Sequence, residues 1–93
     1  MRERWFGATG RRVAEIAVEG EDEVPLEGAL VLDDVADEKR LREAHERGVP
    51  VVIRARDEQA VAQALARPEV ACVLIPPERR NLRDLDLRKL MYG

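Results

Sequence analysis

Two adjacent aspartates and two closely spaced arginines are the residues of this 93-residue chain best suited to chemistry. Asp33 and Asp34 directly follow the apolar run 29–32, and Arg54 and Arg56 follow the run 49–53. Neighbouring carboxylates leaving a strand can hold Mg²⁺, a cation that takes one or two carboxylates and keeps several waters. Guanidiniums leaving the next strand can fork onto a phosphate or carboxylate. Asp33, Asp34, Arg54 and Arg56 are therefore the candidate ligand-binding residues. A structural role competes with the first two. Asp34 or Asp37 would equally cap the free amides of a helix beginning near residue 36, and capping is the commoner use of Asp in that place.

Other chemistry is thin. The chain holds no serine, one threonine (Thr9), one histidine (His45) and one cysteine (Cys72). A nucleophile needs a base within hydrogen-bond reach, and Cys72, beside Val73 inside an apolar run, reads instead as a small buried group. His45 has no second His or Cys at the spacing a zinc ion requires. No catalytic residue, metal or cofactor is assigned, and enzymatic activity is neither assigned nor excluded. Arg79, Arg80, Arg83, Arg88 and Lys89 form a basic row. Asp84 and Asp86 interrupt it, and no aromatics are interleaved for stacking bases. Ion pairing within a helix is the expected role. With a formal net charge of −3, nucleic acid is not an expected partner.

Charged residues make up 38% of the chain. Lysine occurs only at positions 39 and 89, asparagine only at 81 and glutamine only at 59 and 63, a usage like that of heat-adapted proteins. A single cysteine allows no disulfide framework within the chain and suits a reducing interior. The first residues lack the apolar stretch of a signal peptide, and nothing approaches the roughly 20 apolar residues that span a bilayer. A cytoplasmic location without membrane contact is expected.

These side chains need a frame. The apolar runs 29–32, 49–53 and 70–75 are each followed by a charged stretch of helical character, which is the pattern of a parallel sheet covered by crossover helices. The first helix is expected over 36–47, with Leu41 and Ala44 inward and Gly48 past its end. The second starts from Asp57 as N-cap, sets Ala60, Val61, Ala64 and Leu65 on one face, and ends at Pro68. A third is expected in the tail from near Asp84, using Leu85, Leu87, Leu90 and Met91. Residues 12–19 alternate Ala14, Ile16 and Val18 with Val13, Glu15 and Ala17, as an edge or antiparallel strand would, and a hairpin across 4–18 is expected. Residues 20–28 are acidic and too short for a crossover helix, so the strands they join should be antiparallel or in separate layers. The fold class is small two- or three-layer α/β: one domain over 1–93, with a parallel βαβαβα core at 28–93 and an N-terminal edge strand or hairpin at 1–27.

Leu30-Val31-Leu32-Asp33-Asp34, followed by a helix, Gly48, a second strand, an Ala-rich helix and the run from Pro68 to Ile75, resembles the first half of a response-regulator receiver domain. The resemblance implies an acidic pair holding Mg²⁺ beside a phosphorylated aspartate at the end of the third strand. Asp33 and Asp34 match the pair, but Ile75 or Pro76 stands at the acceptor position, and the last two strand–helix units of a receiver are absent. Phosphoryl transfer is thus not implied. The same repeat also fits half of a (β/α) barrel, with phosphate held by helix N-terminal amides and by Arg54, Arg56, Arg79 or Arg80. The favoured function is a non-enzymatic binding or assembly module, a homodimer or a subunit of a complex. The alternative is a small ligand- or phosphate-binding regulatory domain or enzyme that uses the four candidate residues. Trp5 and Phe6 at one end, and Leu90, Met91 and Tyr92 at the other, are placed either to dock on a second subunit or to close the core.

Overall fold

The alternation of apolar runs with amphipathic stretches lies down as a parallel sheet under helices. In the computed structural model, which describes residues 3–8, 10, 12–22, 24 and 26–84, the chain forms strands β1 (Glu3–Trp5), β2 (Arg12–Ala14), β3 (Ile16–Val18) and β4 (Leu30–Leu32). Helix α1 (Glu38–Glu46), strand β5 (Val51–Arg54), helix α2 (Glu58–Leu65), strand β6 (Val70–Ile75) and a 3-10 segment over Pro77–Asp84 follow. β1 and β2 pair as an antiparallel hairpin, and the other four strands form one parallel sheet in the order β3-β6-β5-β4. The tail helix expected from near Asp84, with Leu85, Leu87, Leu90 and Met91, lies outside the described residues, as do Tyr92, Arg88, Lys89, Thr9, Arg11 and Pro25.

Local signals act as their chemistry requires. Asp37 caps α1 by accepting from the Arg40 amide at 3.2 Å, and Asp57 caps α2 by accepting from the Ala60 amide at 2.7 Å. Gly48, at φ +72°, follows α1 and donates to the His45 carbonyl at 3.1 Å, the left-handed turn that releases a chain from a helix. Leu41 and Ala44 of α1, Val61, Ala64 and Leu65 of α2, and Leu82 of the 3-10 segment all bury against one sheet face.

On the opposite face no helix is found among the described residues. Ala17, Val52, Ala71, Cys72 and Leu74 form a floor of mostly small side chains, and Phe6, 1% exposed, fills it together with Val24, Leu26 and Ala29. The last three belong to the link between β3 and β4. This link corrects the expectation for residues 20–28: β3 and β4 are parallel, share one sheet and stand at its two edges. The physical reason is reach. Passing from the end of β3 to the start of β4 takes about 14 Å across the sheet and roughly 16 Å back along it, about 21 Å in a straight line, which residues 19–29 can span at up to roughly 3.3 Å per residue even with a turn at each end. Its apolar side chains then supply the cover that a helix would have given.

Phe6 therefore closes this chain's own core, while Trp5 is 62% exposed with the Arg12 guanidinium 5.3 Å from its ring centroid. The hairpin is anchored at two points. Ala8 donates to the Gly48 carbonyl at 2.9 Å. Arg4 donates to the carbonyls of Leu65 at 2.7 Å and Val70 at 3.0 Å, and to the Glu15 carboxylate at 3.1 Å. It thereby satisfies a carbonyl at the end of α2 that no intrahelical amide can reach.

Candidate functional site

In open parallel sheets, ligands bind beyond the carboxyl ends of the strands, where neighbouring strands send their connections to opposite faces. That condition is met between β3 and β6. After β3 the chain crosses the face bearing Cys72, and after β6 it turns to the helical face through Leu82. The candidate residues stand elsewhere. Asp33 and Asp34 leave edge strand β4, and Arg54 and Arg56 lie at the end of β5 and just beyond it. All four are exposed.

The structure gives two of them structural partners. Asp34 accepts from the Ala36 amide at 2.9 Å, a turn that leads into the Asp37 cap. Arg54 Nη2 pairs with Glu19 Oε1 at 3.1 Å, reaching across β6 to the residue that follows β3. Among the described residues, no group of three or more His, Cys, Asp or Glu side chains is placed to hold a metal ion. The amides at the starts of both helices are engaged by Asp37 and Asp57, carboxylates standing where a phosphate would have to bind.

The segments that leave β3 and β6 are joined by ion pairs. Arg80 pairs with Glu21, and Arg83 Nη1 pairs with Asp22 Oδ2 at 3.2 Å. Asp22 also accepts from the Val18 amide at 2.8 Å, while the Val18 carbonyl accepts from Glu21 and Asp22 at 3.1 and 2.9 Å. Glu21 and Asp22 thus meet Arg80 and Arg83 through tertiary pairing, where the sequence alone points to pairing within a helix. Opposite charge in two segments that flank consecutive sheet positions was the signal available, but using it required knowing that β3 and β6 are neighbours.

Cys72 is fully buried, and desolvation, with a smaller contribution from the Asp22 charge, pushes its thiol up to about 12. It remains a thiol at neutral pH and is not a nucleophile. His45 is exposed on α1.

The strand order also bears on the receiver resemblance. A receiver sheet runs 2-1-3-4-5, with its first strand between the second and third. Here the strand carrying Asp33 and Asp34 is at the edge, and β5 separates it from β6. The acidic pair and the end of β6 are not neighbours, so the arrangement that the resemblance implies is not formed. The strands β4, β5 and β6 instead lie in sequential order, with β3 beyond β6. Compared with known proteins, the chain matches no family model, no curated protein and no solved structure. No helix among the described residues is long and apolar enough to cross a membrane.

Proposed function

We propose that this chain is a non-enzymatic assembly module, which acts by presenting one edge of its sheet to another protein. The carrying observation is the contrast between the two sheet edges. β3 is fully buried, and the outward N–H and C=O of Val18 are taken up by Asp22 and Glu21. β4 has Leu30, Val31 and Leu32 all partly exposed, and among the described residues no strand lies beyond it. Open apolar edges are templates for pairing, and proteins that do not use them blunt them with charge, proline or a covering segment. The pole where a ligand would bind is occupied by the protein's own ion pairs.

Thermal unfolding with Mg²⁺, inorganic phosphate and nucleotides at millimolar levels tests the reading. A ligand that binds only the folded state raises the midpoint by mass action, so the expected result is no saturable rise. A saturable rise that Arg54→Ala abolishes would overturn the proposal in favour of a ligand-binding domain.

A further inference from the structure

Building on the assembly reading, we infer that the occupant of the β4 edge is a second copy of this chain, joined strand to strand about a two-fold axis at Val31. The Leu30 amide bonds to the Pro50 carbonyl at 2.9 Å. Successive peptide groups of a strand point to opposite sides, so the N–H and C=O of Val31 face away from β5. Reversed by a two-fold, the two Val31 residues form a mutually hydrogen-bonded antiparallel pair, and two four-stranded sheets become one of eight.

The side chains fit this operator. β4 is apolar on both faces: Leu30 and Leu32 belong to the helical side, Val31 and Ala29 to the other. Such patterning suits a strand inside a sheet rather than one at its margin. In the antiparallel register Leu30 of each copy stands opposite Leu32 of the other, and cross-strand apolar pairs of this kind are what stabilises a sheet.

Beside Leu30 lies an open groove of about 210 Å³ lined also by Arg40, Glu43, Ala44, Arg47 and Val49. Along α1 its charged rim reads arginine, glutamate, arginine at one-turn spacing. A row of that kind is self-complementary. When a two-fold reverses it with a shift of half a turn, Glu43 of each copy faces an arginine of the other. Like-charge rows would have repelled a second copy and selected a partner of opposite sign, whereas this row accepts its own image, as a two-fold interface requires.

Sedimentation equilibrium of the full chain tests the inference. The wild type is expected at twice the 10.5 kDa of one chain, and Val31→Pro at the mass of one chain with an unchanged far-UV spectrum. Proline removes an N–H that faces outward and leaves the bonds to β5 intact. Glu43→Arg should also be monomeric, and mixing it with the double variant Arg40→Glu, Arg47→Glu should restore the dimer mass. A wild type at the mass of one chain at millimolar protein overturns the second copy as occupant, and so does a dimer that survives Val31→Pro. If deletion of residues 85–93 turns a monomeric wild type into a dimer, the tail is the occupant and the inference likewise falls. None of these outcomes produces the ligand-dependent midpoint shift that would overturn the assembly reading.

Discussion

Arg4 is the residue whose removal should cost most for its apparent position. It lies in a three-residue strand near the start of the chain, yet it ties β1 to the end of α2 and the start of β6 through the Leu65 and Val70 carbonyls and to Glu15, which is 8% exposed. Hydrogen bonds from a charged donor contribute about 1.5–3 kcal/mol each when the acceptor is left unpaired. The Arg4 side chain keeps 27% of its surface in water, so hydration recovers part of that loss, and Arg4→Ala is expected to destabilise by about 2–3 kcal/mol. For a chain of this size that lowers the midpoint by roughly 10–20 °C. Arg4→Lys keeps the charge but not the planar fork, and should lose about half as much. Urea unfolding followed by circular dichroism measures both. Pairing Arg4→Ala with Glu15→Gln in a double-mutant cycle isolates the ion pair, for which a coupling of about 1 kcal/mol is expected. An Arg4→Ala variant within about 0.5 kcal/mol of wild type, or single effects that simply add, would refute the idea that this contact holds the hairpin to the sheet.

Three further outcomes follow from local geometry. A Cβ at Gly7 would stand 2.5 Å from the Gly48 carbonyl oxygen and 2.7 Å from the Pro50 nitrogen, on a backbone with φ +58°; Gly7→Ala should therefore destabilise by about 2 kcal/mol or more, seen as a lower urea midpoint with an unchanged slope. Asp57→Ala removes the cap on Ala60 and should cost about 1 kcal/mol, whereas Asp33→Ala, at an exposed strand end, should stay within about 0.5 kcal/mol in the same assay. Cys72 should resist a thiol reagent in the folded protein and react at the rate of unfolding. Its folded pKa of about 12 lies above the ordinary 9.0, so above pH 9 the unfolded state releases a proton that the folded state keeps. Stability conferred by this group is intact below pH 9 and is lost between about pH 9 and 12, with a slope near 1.4 kcal/mol per pH unit; Cys72→Ala should flatten that decline.

The elements that the sequence made legible are those set by near neighbours. The α1 and α2 caps at Asp37 and Asp57, the exit at Gly48 and the three apolar strands depend on residues within one or two turns of each other. Strand order depends on contacts far apart in the chain, and there residues 12–19 depart from expectation in two ways, besides the link over 20–28. A break at Glu15 splits one expected strand into β2 and β3, so the first half pairs in the hairpin and the second joins the parallel sheet. The run Ile16-Ala17-Val18 looks half-exposed in sequence because its neighbours are charged, yet it is buried throughout, with Phe6 brought over Ala17 from the start of the chain.

The candidate site depends on strand order in the same way. Asp33, Asp34, Arg54 and Arg56 stand out in the sequence because strand ends bind ligands in parallel sheets, and that rule needs the place where connections part to opposite faces. With β3 alongside β6, the parting occurs two strands away from Asp33, and the charges that converge there are Glu21, Asp22, Arg80 and Arg83. Exposed pairs of this sort contribute little stability singly, about 0–1 kcal/mol each. Their effect is positional: they hold the acidic link over the ends of β3 and β6, and Asp22 closes the Val18 edge while it does so. One loop thus carries the ion pairs at the ends of β3 and β6 and takes up the outward N–H and C=O of Val18. Among the described residues no strand pairs with the outer side of β4, whose residues carry no charge until Asp33, and it is this side that the proposed assembly uses.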